Sequence, residues 1–331
     1  MHNLTQNREL ADLLFPDIQK TPEYYEMLYP KRQLPEGAKV TRFAPSPTGY
    51  VHMGSLYASL VSERLAHQSN GVFFLRVEDT DKKREVEGGV SNIIRALSRF
   101  GISFDEGVTD VDDEKGSYGP YKQSERMKIY KTFAKRLVEK GLAYPCFCSE
   151  EDLDKIRAQQ EEKKETPGYY GEYAVHRNST LEQVKEELSR GKPFVLRVKA
   201  PDNPDSRFVF KDLIKGDVEM PENFQDIVLL KSDGLPTYHF AHVVDDHLMR
   251  TTHVTRGDEW LPSAPLHVQL FEMLEWEKPY FAHISPIMKM EGSSKRKLSK
   301  RKDPEADVSF YHEQGFPGIS VIEYLANLIN S

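Results

Sequence analysis

The sequence is poor in cysteine, in long apolar runs and in the segments that direct secretion. Two cysteines among 331 residues exclude a disulfide-stabilised scaffold, and their separation in Cys146-Phe147-Cys148 is unsuited to a mutual disulfide. No apolar run approaches the ~18 residues that a membrane helix needs. The first residues lack the basic stretch and the apolar core of a secretory signal. We therefore expect a soluble, cytoplasmic protein without a membrane partner.

An excess of positive charge is also missing. The chain carries 45 Lys and Arg against 52 Asp and Glu, a formal net charge of −7. This excludes a global basic field for nucleic acid, so a nucleic-acid partner would have to be held by local patches and by shape. With 38% hydrophobic and 29% charged residues, the composition is that of a globular protein, long enough for about two domains.

The first 38 residues have the pattern of an extension to the main body. Residues 8–15 carry apolar side chains at helical spacing, and Thr21-Pro22-Glu23 has the composition of a second helix start. Pro30 and Pro35 then bracket and break residues 31–37, which predicts a linker. This pattern favours a brace packed on the main body over a disordered tail.

A strand–helix–strand unit follows the extension. Residues 40–44 and 72–77 have the composition of short buried strands, and residues 55–67 between them have helical periodicity. Such a βαβ unit is typical of a parallel sheet. The sequence thus predicts an α/β fold of the nucleotide-binding kind.

A mixed α+β insertion interrupts this pattern. Within it, residues 194–199 and 207–210 are predicted strands, joined by a turn at 202–205. The α/β pattern resumes at residues 236–244 and 253–256. We therefore expect the insertion to leave the parallel sheet and the later strands to complete it.

The loop Pro45-Ser46-Pro47-Thr48-Gly49-Tyr50-Val51-His52-Met53-Gly54 lies between the first strand and the first helix of the βαβ unit. A helix N-terminus offers unpaired N–H groups to an anion. Gly54 would allow a nucleotide close to the backbone, and Thr48 and His52 can donate hydrogen bonds to phosphate oxygens. The alternative is a glycine-bearing turn whose histidine is satisfied within the protein.

A basic run, Lys295-Arg296-Lys297-Leu298-Ser299-Lys300-Arg301-Lys302, places six cations in eight residues of an acidic chain. One interpretation is a mobile loop whose lysines neutralise a polyphosphate as it breaks. The other is a solvated basic loop.

Together the two segments resemble the signatures of class I aminoacyl-tRNA synthetases. His52-Met53-Gly54-Ser55 resembles the "HIGH" motif, with Ser55 in place of the second histidine, and Lys297-Leu298-Ser299-Lys300-Arg301 resembles the "KMSKS" motif. Further segments are similar, in order, to bacterial-type glutamyl-tRNA synthetases; they are 41–49, 75–81, 119–126 and 229–239. The resemblance runs from about residue 40 to the last residue.

The resemblance implies an activity. It is the ATP-dependent attachment of L-glutamate to the 3′ end of tRNA(Glu) through a glutamyl-adenylate, with Mg²⁺ arriving with ATP. The implied catalytic residues are Thr48, His52, Lys297 and Lys300. The implied ATP-binding residues are Thr48, His52, Gly54, Ser55 and Lys300. The family also usually needs bound tRNA before it activates glutamate, so we expect little pyrophosphate exchange without tRNA.

The residues agree with glutamate as the substrate. A buried γ-carboxylate needs a fixed cation, and Arg42 and Arg256 stand at predicted strand ends. The α-ammonium group needs a carboxylate, for which Glu78 follows a strand, and the phenol of Tyr238 adds a donor. In the family, the matching glutamate site comprises Arg42, Ala44, Ser46, Glu78, Tyr238, His242 and Arg256. Taken singly, each charged residue could instead form a surface ion pair.

Two features near this site have more than one interpretation. The bacterial family often has Asn at the position of His242, so this histidine either alters the polarity of the pocket or is structural. The pair Asp245-Asp246 suggests a metal dyad, but we favour a helix-terminal loop that caps or positions the sheet, because Mg²⁺ bound with ATP needs few protein ligands.

Cys146 and Cys148 form half of a zinc site. Tetrahedral zinc needs two more ligands. His176 could be the third, and Tyr169 or Tyr173 would be a poor fourth. The sequence favours two packed thiols over bound zinc.

The resemblance also predicts a domain organisation. The predicted parts are an extension at 1–38, Rossmann halves at 39–123 and 236–288, an inserted tRNA acceptor-binding domain at 124–235, and the KMSKS loop with the start of a helical stem-contact domain at 289–331. The anticodon-binding domain of the family is absent, which suggests part of a longer enzyme, and we expect a monomer. The alternatives are a glutamyl-queuosine tRNA(Asp) synthetase and a non-catalytic tRNA-binding homologue.

Overall fold

The fold was analysed in a computed structural model, which describes residues 2–47, 51–81, 86–110, 113–201, 203–299 and 301–329. The helices are α1 (His2–Leu14), α2 (Pro22–Leu28), α3 (Met53–His67), α4 (Gly89–Ser98), α5 (Met127–Glu139), α6 (Glu150–Lys163), α7 (Leu181–Ser189), α8 (Tyr238–Leu248), α9 (Ala264–Met273), α10 (Val308–Glu313) and α11 (Gly318–Ile329). The strands are β1 (Val40–Phe43), β2 (Val72–Leu75), β3 (Glu106–Asp110), β4 (Asp113–Lys115), β5 (Ala143–Cys146), β6 (Val195–Val198), β7 (Arg207–Asp212), β8 (Gly216–Pro221), β9 (Val228–Leu230), β10 (His253–Gly257), β11 (Tyr280–Ile284), β12 (Met288–Glu291) and β13 (Ser294–Lys297). Among the helices so described, none has the length and apolar content needed to cross a bilayer.

Two four-stranded sheets form the centre of the fold. In the first, of order β1-β2-β3-β4, the strands β1, β2 and β3 are parallel. In the second, of order β10-β11-β7-β8, the strands β10, β11 and β7 are parallel. The sheets meet where β1 lies beside β10, since the Thr252 amide donates to the Val40 carbonyl oxygen at 2.9 Å. The prediction of an α/β fold with a Rossmann-type parallel core is confirmed.

Helix α3 is the crossover of the predicted βαβ unit. Its N-cap is His52, whose Nδ1 accepts a hydrogen bond from the Gly54 amide at 2.9 Å. Leu56 and Leu60 are fully buried one turn apart, so this face of the helix covers the sheet. The crossover therefore brings the helix N-terminus to the carboxyl end of β1, where ligands bind in folds of this kind.

The predicted hairpin between residues 194–199 and 207–210 is wrong. Both segments are strands, but β6 is the central strand of an antiparallel sheet of order β5-β6-β9. Because β5 and β9 occupy both of its edges, β6 has no edge left for β7. Instead β7 pairs with β8 and, at Asp212, with Phe281 of β11. Asp202, in the predicted turn, lies outside the described residues.

The extension packs on the main body, as the sequence predicts. Helix α1 lies against α5, with Ala11, Leu14 and Phe15 buried in the main core. After α2, the Tyr29 hydroxyl donates to the Gly119 carbonyl oxygen at 2.7 Å, and Arg32 pairs with Glu106 at 2.7 Å. The extension therefore braces the first sheet and the adjoining helices.

Glu26 links this brace to α8. Its carboxylate pairs with His247 at 2.6 Å and with Arg250 at 2.7 Å. Burial opposes ionisation, but the hydrogen bonds from these two partners outweigh it and lower the pKa of Glu26 to about 2. A lowered folded pKa means that the stabilisation is complete above the unfolded pKa of about 4.5 and is lost as pH falls towards 2.

We expect Glu26→Gln to lower stability at pH 7 by about 1 kcal/mol, or about 2 °C in Tm, because the pair is partly exposed. Thermal unfolding followed at several pH values checks this, with the exposed Glu36→Gln as the control. The difference in Tm between wild type and Glu26→Gln should narrow below pH 4.5. A Tm difference that stays constant with pH would contradict the role of the charge.

Candidate active site

A cavity of about 1330 Å³ opens at the carboxyl ends of β1, β2 and β10. It is large enough for an amino acid together with a nucleotide. Most of the residues predicted for the site line it; they are Arg42, Ala44, Ser46, His52, Gly54, Ser55, Glu78, Tyr238, Arg256 and Lys297. Thr48 and Lys300 lie outside the described residues.

His52 shows how the helix N-terminus is prepared for an anion. Because its Nδ1 accepts from the Gly54 amide, the ring proton of the neutral imidazole lies on Nε2, which can donate. The side chain lines the cavity beside the first turn of α3. The imidazole ring of His52 and the N-terminus of α3 are therefore both placed to bind a phosphate group.

A buried network of charges lies beneath the cavity. Asp246 accepts from Arg42 Nε at 3.1 Å and from Arg76 Nη1 at 2.7 Å. Asp245 accepts from Arg126 Nε at 2.7 Å. With Glu78, which accepts from Arg76 Nη2 at 3.1 Å, three carboxyl groups face three guanidinium groups, so the network carries no net charge when Glu78 is ionised.

The preferred interpretation of Asp245 and Asp246, a helix-terminal loop, is wrong. Both residues lie inside α8, which runs on to Leu248, and both are fully buried. The helix continues because its inward face finds arginines from β1, from the end of β2 and from the start of α5. Since those guanidinium groups occupy the carboxylate oxygens, the pair anchors arginines and does not form a metal dyad.

Glu78 is suited to bind an ammonium group. Burial raises the pKa of its carboxyl group to about 7, against the opposing effect of Arg76. A cationic group entering the cavity would favour the ionised form. The geometry therefore agrees with the predicted contact to an α-ammonium group.

Arg256 is a buried cation outside this network. Its Nε donates to His283 Nε2 at 2.9 Å, and its Nη1 contacts His267 Nδ1 at 3.1 Å. Among the residues that the structure describes, it pairs with no carboxylate, and its Nη2 is buried without a hydrogen-bond partner. Burial, reinforced by the charge of Arg42, lowers the pKa of Arg256 to about 10, so it is still charged at neutral pH. It is placed to bind an anionic group of a ligand.

Tyr238 and His242 take different positions. Tyr238 lines the cavity, and burial followed by the charge of Glu78 raises the pKa of its hydroxyl to about 12, so the hydroxyl remains a donor. His242 is fully buried behind Arg42, with Nδ1 3.4 Å from Arg42 Nη2, and it does not line the cavity. Burial lowers the pKa of His242, so it supports Arg42 as a neutral ring.

Two residues of the basic run, Arg296 and Lys297, lie in different surroundings. It begins on the hairpin of β12 and β13, where Arg296 is held by Asp303 at 2.6 Å and by Glu291 at 2.9 Å. Lys297 lies at the mouth of the cavity, 3.3 Å from Glu259. The run is thus not uniformly solvated, because Arg296 anchors the turn and Lys297 faces the cavity.

Several residues of the site were not assigned a role from the sequence. Arg76 is fully buried. Its pairing with Glu78 could have been predicted from their spacing, because residues two apart on an extended segment point to the same face. His267 and His283 carried no such signal, since α9 and β11 bring them to Arg256 only in the folded chain.

A second group of polar side chains lies at the end of β5. The ligand atoms of Cys146, Cys148 and His176 lie within 4.8 Å of one another. The Tyr169 hydroxyl is 3.3 Å and 3.5 Å from the two sulfur atoms, whereas Tyr173 bonds to Glu165. Tetrahedral zinc with ordinary bond lengths would separate its ligands by about 3.5 Å, so Cys146, Cys148 and His176 are close enough to supply three zinc ligands.

Comparison with known proteins identifies the family. Residues 39–330 match the family model described as tRNA synthetases class I (E and Q), catalytic domain. The chain belongs to the class I glutamyl- and glutaminyl-tRNA synthetases.

Relatives of this synthetase chain include curated proteins named glutamate–tRNA ligase. One from Clostridium perfringens strain 13 is 59% identical over 322 residues, which are 97% of this chain and 59% of the relative. Another, from Acetivibrio thermocellus, is 56% identical over 325 residues, 98% of this chain and 59% of the relative. This synthetase chain therefore spans about three fifths of the length of these relatives.

A solved structure supports the fold of the synthetase domain. The glutamate tRNA ligase of Elizabethkingia meningosepticum, solved in complex with its amino acid, superimposes with a TM-score of 0.73 at 40% identity. The match covers 84% of this chain and 53% of that one.

Proposed function

We propose that this synthetase activates L-glutamate with ATP and transfers it to the 3′ end of tRNA(Glu). The observation that carries the proposal is the charge pattern of the cavity. Arg256 offers an uncompensated cation to a carboxylate, while Glu78 lies at the same cavity to accept an ammonium group. The names of the relatives support the same substrate and partner.

The reaction has two steps that the cavity can accommodate. A carboxylate oxygen of glutamate attacks the α-phosphorus of ATP, and pyrophosphate leaves. The terminal ribose hydroxyl of tRNA then attacks the activated carbonyl carbon, and AMP leaves. His52 and the N-terminus of α3 would bind the phosphates, with Thr48, Lys297 and Lys300 adding positive charge or donors, so catalysis consists of positioning and electrostatic stabilisation.

Mg²⁺ would supply charge neutralisation on the phosphates of ATP. Since Asp245 and Asp246 are occupied by arginines, the acidic pair offers it no ligands. The residues present therefore fit a cation that enters with ATP and keeps most of its water ligands.

Selection of glutamate over glutamine follows from Arg256. A neutral amide can accept a hydrogen bond from the unpaired nitrogen but leaves the buried guanidinium charge without a counter-charge, whereas a carboxylate supplies both. Arg42 contributes less to this choice because Asp246 already pairs with it.

We also propose that Cys146, Cys148, His176 and Tyr169 hold a structural zinc ion. We expect about one zinc ion per chain by metal analysis after dialysis against zinc-free buffer. Cys148→Ala should lose the metal, and the exposed His312→Ala should retain it. Wild-type protein without zinc would instead support two packed thiols.

Glutamate incorporation, with ATP and Mg²⁺, tests the function. We expect charging of purified tRNA(Glu), even if slow, and little pyrophosphate exchange without tRNA. Charging of queuosine-modified tRNA(Asp) alone would identify the paralogue that forms glutamyl-queuosine. No charging together with no ATP binding would leave a non-catalytic tRNA-binding homologue.

A further inference from the structure

Asp212 is a buried carboxylate at the end of β7, outside the network beneath the cavity. Its Oδ1 accepts from the amides of Ile214 and Lys215, each at 2.9 Å. Its Oδ2 lies 2.6 Å from His283 Nδ1 and 3.1 Å from the His283 amide nitrogen. Burial opposes ionisation of this carboxyl group, but the hydrogen bonds from the backbone amides and from His283 outweigh it and lower the pKa of Asp212. An ionised carboxylate can only accept, so the proton between the two side chains belongs to His283 Nδ1.

This contact decides the state of the histidine. A neutral imidazole with its proton on Nδ1 has a lone pair on Nε2. That atom is 2.9 Å from Arg256 Nε, which can only donate. Burial and the charge of Arg256 lower the pKa of His283, in keeping with a neutral ring. The opposite tautomer would set two N–H groups against each other.

A neutral acceptor has an effect on Arg256 that a carboxylate would not have. A carboxylate at the position of His283 would hold the guanidinium group but would also neutralise it. The imidazole holds the Nε edge and leaves the positive charge for a ligand, with Nη2 unpaired in the protein. His267 acts in the same way on Nη1, at 3.1 Å.

We propose that Asp212 and His283 are positioning residues of the glutamate site, which orient Arg256 through a neutral hydrogen-bond acceptor and so keep its charge available to the substrate carboxylate. This inference rests on the proposed role of Arg256. It also assigns a role to the hairpin of β7 and β8. The pairing of Asp212 in β7 with Phe281 in β11 lies beside this contact. Both residues act through Arg256 and touch no substrate.

Asp212→Asn is the sharpest test. The asparagine oxygen can still accept from Ile214 and Lys215, which puts its amide nitrogen against His283 Nδ1 and against the His283 amide. The imidazole must then carry its proton on Nε2, facing the N–H group of Arg256, the same tautomer error that an Asp→Asn change causes in a catalytic triad. We expect the affinity for a non-hydrolysable glutamyl-adenylate analogue to fall by about 10- to 100-fold. The exposed Asp217→Asn, on the paired strand, is the matched control and should leave the affinity unchanged.

Substitutions of His283 distinguish a role in positioning Arg256 from a general role in supporting the fold. In His283→Gln the side-chain oxygen can accept from Arg256 without help from Asp212, so the affinity should stay within about threefold of wild type. His283→Leu removes the acceptor and should lose as much as Asp212→Asn. Adding Asp212→Asn to His283→Gln should cause a smaller loss than adding it to wild type, because only the contacts of Asp212 with backbone amides remain to be disturbed.

Calorimetric titration of the analogue and steady-state charging of tRNA(Glu) give the readouts. In charging, Asp212→Asn should raise KM for glutamate and leave KM for ATP within about twofold. Equal binding by wild type and Asp212→Asn would overturn the inference and leave the proposed function intact. Wild-type protein that does not bind the analogue would overturn both. If Asp212→Asn fails to fold, equal losses in His283→Gln and His283→Leu would overturn the inference.

Discussion

Replacing Asp246 by asparagine is expected to lower the free energy of unfolding by about 3–5 kcal/mol at pH 7. Asp246 is fully buried and accepts from both Arg42 and Arg76. Asparagine would leave three buried guanidinium groups facing two carboxylates. Such an uncompensated buried charge costs far more than the loss of an exposed ion pair.

The pH dependence has a definite sign. Burial raises the pKa of Asp246, but the charges of Arg42 and Arg76 outweigh this effect and lower it to about 2. The stabilisation is therefore complete above the unfolded pKa of about 3.8 and is lost as pH falls towards 2. Chemical denaturation at pH 7 measures the loss, with the partly exposed Asp258→Asn as the control. A loss below about 1 kcal/mol would contradict the network, since exposed pairs already reach that value.

Replacing Lys300 by alanine is expected to slow glutamyl-adenylate formation by about 100-fold or more while leaving the fold intact. Lys300 belongs to the KMSKS-like segment and lies outside the described residues, so the prediction rests on the sequence. A cation that stabilises the departing pyrophosphate acts mainly in the transition state, and its loss should lower the rate more than it raises KM for ATP.

Single-turnover activation in the presence of tRNA(Glu) measures this effect. Lys302→Ala, an exposed change two positions later, removes the same charge from the same run and is the matched control. Circular dichroism of both variants checks that the fold is kept. A near-normal activation rate in Lys300→Ala would remove this lysine from the mechanism.

The parts of the site that depend on local pattern could be predicted from the sequence. The loop that ends at Gly54 follows a strand and starts a helix, so its place at the carboxyl end of a parallel sheet follows from the βαβ unit alone. Arg42 and Arg256 were found in the same way, because each lies near the carboxyl end of a strand that the apolar pattern marks.

The parts that depend on distant contacts could not be predicted. Asp246 meets Arg42 across 204 residues and Arg76 across 170, so no local pattern shows that α8 continues through the acidic pair. Asp212 meets His283 across 71 residues, and the same pairing draws β7 away from the hairpin that its spacing from β6 suggests. In each case a buried charge found its partner only in the folded chain.

The choice of amino acid tests the central claim most directly. Charging of tRNA(Glu) by the 331-residue chain, measured with glutamate and with glutamine, gives the ratio of the two kcat/KM values. Because glutamine would leave the buried guanidinium charge of Arg256 without a counter-charge, we predict a ratio of about 10⁴ or more in favour of glutamate. Comparable use of glutamine would show that Arg256 does not select the substrate carboxylate, and would contradict the account.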